Sequence, residues 1–252
     1  MNIVNFPFLV FVSSLIALWL SAIAGSYVRT KLRPLADDQR DEFGVVQAAA
    51  LTLLGLLIGF TFSMATSRYE QRKNYEEAEA NAIGTEYVRA DLLPDSEATR
   101  VRELLRSYLD QRILFYTARH ESQLQQINAT TAQLQSQLWS VVQARAASQA
   151  TTLMALVVSG MNDVLNSQGY TQFAWNNRIP FEAWVLLAVI ASGCNLLIGY
   201  GSHRTRTLLF LVVPLAVSIS FFLIADIDSP RGGVIRVQPQ NLLILAQSMQ
   251  AH

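Results

Sequence analysis

The chain has 252 residues, is 51% hydrophobic and only 15% charged, and has a mean hydropathy of +0.26. Soluble domains average about 25% charged residues, so this composition excludes disordered, tail-bearing and disulfide-stapled secreted classes. With 19 Lys+Arg against 19 Asp+Glu there is no basic excess for nucleic acid, and the single cysteine, Cys194, permits neither an intrachain disulfide nor a CxxC site.

The missing charge is concentrated in four blocks. Phe6 to Val28 carries none, and neither does Phe43 to Ser67. A helix needs ~20 apolar residues to cross a bilayer, so both blocks predict spans and together form a first membrane hairpin over 1–67. The first block is too long for a signal h-region and has no basic segment before it.

A polar insert follows, over 68–178. It holds more than half of the charges of either sign and is close to neutral in itself. The run Tyr69 to Leu93 lacks proline and predicts a helix that ends at Pro94, with Asp95 or Ser96 placed to cap a new helix starting near Ala98. Leu104, Leu105, Tyr108, Ile113 and Phe115 give that helix an apolar face. Ser122 to Gln149 predicts a further helix with a stripe of Leu124, Ile127, Leu134, Leu138, Val141 and Val142. Thr151 to Asn166 predicts another, and Gly169 and Arg178-Ile179-Pro180 then lead back to the membrane. No strand alternation is present, so the insert reads as a helical extramembrane domain.

The third and fourth charge-free blocks, Ala183 to Ser202 and Thr207 to Ala225, predict spans at about 182–202 and 207–225 that form a second membrane hairpin within 179–252, followed by a C-terminal tail. Pro214 interrupts the fourth, which membrane helices tolerate. The fold class is therefore all-α: a polytopic membrane protein with four transmembrane helices and one helical extramembrane domain.

Arg29, Lys31, Arg33 and Arg40 follow the first span, and Arg204 and Arg206 lie between the third and fourth. The opposite side carries as many: Arg68, Arg72, Lys73, Arg178, Arg231 and Arg236. Short loops and the first span weigh most in the positive-inside rule, which places the short loops in the cytoplasm and the helical domain with both termini in the periplasm.

No enzyme motif is present, and His120, His203 and His252 have no metal-ligand spacing, so no catalytic residue, metal or cofactor is expected. Glu76, Glu77 and Glu79 lie one turn from Arg72 and Lys73 and predict a solvated, salt-bridged face. Asp226 and Asp228 read as a helix stop before the turn Ser229-Pro230-Arg231-Gly232-Gly233, with metal binding as the alternative.

The second span is the most informative. Thr52, Leu56, Phe60 and Ser63 fall within about an 80° sector of one helix face. Gly55 and Gly59 beside them form a GxxxG pair that lets backbones approach closely. Two readings fit: both stripes pack within the chain, or copies of this helix surround an axis and the bulky stripe faces a lumen, where Leu and Phe rings gate by dewetting.

The text Ile58-Gly59-Phe60-Thr61-Phe62-Ser63, with Arg68-Tyr69-Glu70 and Asn74-Tyr75-Glu76 beyond it, resembles the pore helix of bestrophins. Arg178-Ile179-Pro180 and Asp228-Ser229-Pro230-Arg231-Gly232 are similar to their Ile-Pro entry and Pro-x-Gly segment. Gly55 to Ala65, Glu79 to Gly84 and Arg89 to Pro94 are together similar to a bestrophin-like family of bacterial membrane proteins of unknown function. The resemblance implies a homopentamer of four-span subunits in the bacterial inner membrane, conducting small inorganic ions along one axis past a neck at Thr52, Leu56 and Phe60. It also implies termini and a large domain in the cytoplasm, against the loop charges. Val234-Ile235-Arg236-Val237 stands where calcium-gated bestrophins carry acidic residues, so no calcium clasp is expected. An ion channel with an apolar neck, for small anions, is the first functional reading, and a non-conducting oligomeric scaffold that binds a partner or lipid is the alternative.

Overall fold

The computed structural model describes residues 6–31, 39–202 and 209–250. Its helices are α1 (Pro7–Lys31), α2 (Gln39–Arg89), α3 (Asp95–Thr117), α4 (Glu121–Ser148), α5 (Thr152–Asn176), α6 (Phe181–Gly201), α7 (Leu209–Asp228) and α8 (Gln240–Gln250), with a 3-10 turn at Ala90–Leu92. No strand is found among the described residues. Four helices are long and apolar enough to cross a membrane, as the charge-free blocks predict. Arg33, Arg204, Arg206, His203, His252 and the start of the fourth block lie outside the described residues.

The chain forms two compact units, 1–69 with 178–236 and 70–177 with 237–252. In the first, α1 packs against α6 and α7. Its core joins Leu18 of α1, Leu54 and Ala65 of α2, Leu187, Ala191 and Cys194 of α6, and Phe221 and Ile224 of α7. Lipid supplies no hydrophobic drive between helices, so close backbone approach has to do the work, and it rests on glycine. A Cβ on Gly25 would overlap the Leu196 carbonyl oxygen, and one on Gly199 would overlap that of Ala22. This reciprocal crossing fixes α1 on α6. The Cys194 thiol donates to the Ala50 carbonyl at 3.4 Å, which ties α6 to α2. α7 continues through Pro214.

In the second unit, α3 packs on α4 and α4 on α5. Leu105, Tyr108 and Phe115 are buried on α3, and Ile127, Leu138 and Val142 on α4, in keeping with the predicted apolar stripes. Local details differ from expectation. α3 begins at Asp95, with Pro94 at the N-cap and no side-chain cap bond, so neither Asp95 nor Ser96 caps it. Proline fixes the entry φ, and Pro94 accepts from the Glu97 and Ala98 amides through its carbonyl, so no side chain is needed. α5 does not stop at Asn166 but runs through Gly169 to Asn176. Gly169 has open space around it, so it costs the helix only its propensity. The C-terminal tail, for which no element was predicted, contains α8, whose Leu242 is fully buried.

Candidate pore-lining face and buried charge network

α2 is one unbroken helix of 51 residues. Only 6% of its apolar window is buried, against 50% for α7. One narrow stripe is covered: Leu54, Thr61 and Ala65, spaced seven and four residues apart, are at most 7% exposed. At about 100° per residue, Thr52, Leu56, Phe60 and Ser63 project from the opposite side of the helix. All four are exposed, Leu56 at 54% and Phe60 at 62%. Gly55 and Gly59 lie between the two faces, and a Cβ on either would meet nothing within 4 Å. Among the described residues, then, nothing in this chain packs on either stripe.

The exposed side of α1 carries Phe8, Leu9, Val12, Ile16, Trp19, Leu20 and Ile23, with Ser13, Ala17 and Ala24 among them. The exposed face of α2 alternates such residues with glycine, threonine and serine. The Thr52 hydroxyl is satisfied locally, donating to the Ala48 carbonyl at 2.9 Å.

At the end of α7 the two aspartates organise backbone. Asp226 accepts from the Val234 and Ile235 amides at 2.7 and 2.8 Å. Asp228 accepts from the Ile179 amide at 3.1 Å and lies 3.6 Å from Arg178 Nε and 3.9 Å from Arg68 Nη1. Their lone pairs are taken up in closing the turn and in holding the entry to α6. No cluster of three or more His, Cys, Asp or Glu able to hold a metal occurs among the described residues.

The predicted solvated face on α2 is corrected. Glu77 and Lys73 are exposed, but Arg72, Glu76 and Glu79 are at most 1% exposed. Glu76 caps α8, accepting from the Asn241 side chain at 2.6 Å and the Leu242 amide at 3.1 Å. A carboxylate at a helix N-terminus meets unpaired amides and the positive end of the dipole. Glu79 accepts from Arg112 Nε at 2.5 Å, from Thr171 at 3.1 Å and from Tyr116 at 3.3 Å. The Arg112 guanidinium also covers the Phe115 ring, 4.4 Å from its centroid. Burial, and then the Glu79 charge, raise the Tyr116 phenol well above its ordinary range, so it serves as a neutral donor. The helical period alone could not reveal this, because the partners lie on α3, α5 and α8.

Also in this unit, a cavity of about 610 Å³ opens between α2, α3 and α8. Arg106 spans it, donating to the Tyr87 hydroxyl and, at 2.7 Å, to the Met249 carbonyl near the end of α8. Its guanidinium thereby satisfies a helix C-terminus.

Four apolar spans, a helical extramembrane unit and an exposed mixed stripe along one long helix define a polytopic α-helical membrane protein. A family model described as the Bestrophin-like domain matches residues 11–242, and the chain belongs to the bestrophin-like family. It is similar in fold to bacterial bestrophin homologues from Klebsiella pneumoniae. One variant structure shares 12% identity at a TM-score of 0.65, covering 96% of this chain and 99% of that chain. A second variant shares 13% identity at 0.65, covering 96% and 94%. A third structure of the homologue shares 12% identity at 0.62, covering 96% and 95%. No curated protein sequence matches the chain.

Proposed function

We propose that this chain is the subunit of a ring-shaped ion channel in the bacterial inner membrane, with α2 lining the axis and Leu56 and Phe60 forming an apolar neck. The observation that carries the reading is the face of α2 opposite Leu54, uncovered along Thr52, Leu56, Phe60 and Ser63 and flanked by open Gly55 and Gly59. Open glycines admit the close approach of a neighbouring helix, and heterologous contacts that close on themselves make rings. Five copies is the number that the resemblance to bestrophins implies.

Leu56 and Phe60 are one turn apart, about 6 Å along the axis. Rings of these side chains make a short constriction without fixed charge, and its barrier comes from stripping water off the ion. Aromatic edges carry the positive part of the ring quadrupole, which favours small anions over cations. The short loops bearing Arg29, Lys31 and Arg40 face the cytoplasm in this reading, and the helical unit faces the periplasm. Two of the basic residues on the opposite side, Arg68 and Arg178, are engaged by Asp228.

The test is chloride flux from liposomes holding the purified protein or its Phe60→Ala variant. Flux that rises in the variant supports the channel. No flux from either, under any voltage or salt gradient, leaves the scaffold reading in its place.

A further inference from the structure

Glu86 on α2 is fully buried in the helical unit. Unlike Glu76 and Glu79, it has no hydrogen-bond partner on either carboxylate oxygen. It lies against Gly160 of α5, where an added Cβ would strike both Glu86 Oε2 and Arg89 Nη1. The charged groups acting on it are Arg89, one turn on along α2, and Asp163 of α5. Arg89 Nη1 is turned to another acceptor, the Leu156 carbonyl of α5, at 3.4 Å. A cation stands close by, yet the carboxyl is left without it.

A buried carboxylate without hydrogen bonds is among the most costly groups a protein can hold, whereas a protonated carboxyl of the same shape is not. We propose that Glu86 is a proton-binding site that locks the α2–α5 seam. Protonated, the neutral carboxyl fits against the bare Gly160 backbone and leaves Arg89 on the Leu156 carbonyl. Ionised, it draws Arg89 off that carbonyl and strains the seam, where no Cβ-sized space is available. No covalent chemistry is involved: one proton leaves for solvent and one hydrogen bond changes acceptor.

The electrostatics agree. Burial pushes the Glu86 carboxyl up to about 8 from its ordinary 4.5; Arg89 pulls it down and Asp163 pushes it up. A carboxyl raised in the folded state binds its proton more tightly there than in the unfolded chain. Its stabilising contribution is fully present below the unfolded value and is lost as pH rises through the folded one. The window runs from about 4.5 to about 8.

The proposal does not depend on conduction, and its test reads the protein itself. Thermal unfolding of the full chain in detergent is compared for wild type and Glu86→Gln between pH 5 and 9.5. The wild type is expected to match the variant at pH 5 and to fall roughly 5 °C or more below it at pH 9.5, as a group of this burial would on a chain of this size. In the infrared, a protonated-carboxyl stretch present at pH 7 should disappear near pH 8 and be absent from Glu86→Gln. Arg89→Gln removes the pulling cation and should move that loss to higher pH. Parallel stability profiles for wild type and Glu86→Gln overturn the proposal. Should Glu86→Gln not fold, the wild-type spectrum still decides, since no carboxyl titrating between pH 7 and 9 overturns it equally.

Discussion

Arg112 donates through Nε to Glu79 at 2.5 Å, and neither side chain reaches solvent at all. The pair joins α3 to α2, and Thr171 brings in α5 on the same carboxylate. Removing one partner strands the other charge in the interior, which costs about 3–5 kcal/mol. Glu79→Leu should therefore lose that much in stability. Glu79→Leu with Arg112→Met should recover most of it, because an apolar pair of similar volume avoids the desolvation cost. Denaturation of the three proteins in parallel checks the pair; a double variant as weak as the single one would contradict the assignment.

The neck prediction separates two faces of one helix. Phe60→Ala should widen and wet the constriction and raise chloride flux, and Leu56→Ala should do so less strongly. Leu54 is 2% exposed on the opposite face. Leu54→Ala should leave flux per folded channel unchanged while lowering protomer stability by about 2 kcal/mol through the cavity it opens. Single-channel recordings beside thermal unfolding distinguish the two, and equal flux changes from Leu54→Ala and Phe60→Ala would remove the lumen from this face.

Two pairs of glycines make a second contrast. Gly25 and Gly199 sit against carbonyl oxygens of the facing helix within the protomer, whereas Gly55 and Gly59 have open space. Gly199→Leu should thus prevent the α1–α6 crossing and abolish folded protein. Gly59→Leu should fold normally and lose the ring. Native mass spectrometry in detergent should give a single closed species, five-fold in our reading, for wild type and monomers for Gly59→Leu. A wild type that flies only as monomer or dimer would rule out the ring.

Orientation is read by single cysteines and a membrane-impermeant thiol reagent on intact cells. Cys194 is buried and stays silent. Cysteine at Ala129, exposed on α4, should label, and cysteine at Lys31, exposed at the end of α1, should remain protected. The reverse pattern would put the helical unit in the cytoplasm, as the resemblance to bestrophins implies.

The membrane spans were legible because bilayer thickness and the cost of buried charge act on contiguous residues. The two faces of α2 were legible for a similar reason, since 100° per residue fixes which side chains share a side, although not what covers them. Glu76 and Glu79 were misread as solvated because the local logic sees only neighbours on α2, while Arg112, Thr171 and the α8 amides that help to bury them are remote in sequence. Gly25 and Gly199 likewise have meaning only as a pair across two helices. α8 was missed because its anchor, a carboxylate at its N-terminus, comes from α2.

Both units are interrupted in the chain: α6 and α7 are made between α5 and α8, and the whole polar insert is made between α2 and α6. During synthesis, then, α1 waits for α6 to supply Gly199, and the buried Glu76 waits for α8 to supply its amides. Until each later segment emerges, a half-built hairpin in the bilayer and an uncapped carboxylate outside it persist side by side. Biogenesis of this protein is thereby a nested problem, in which the helical unit closes last, after its membrane anchor is already complete.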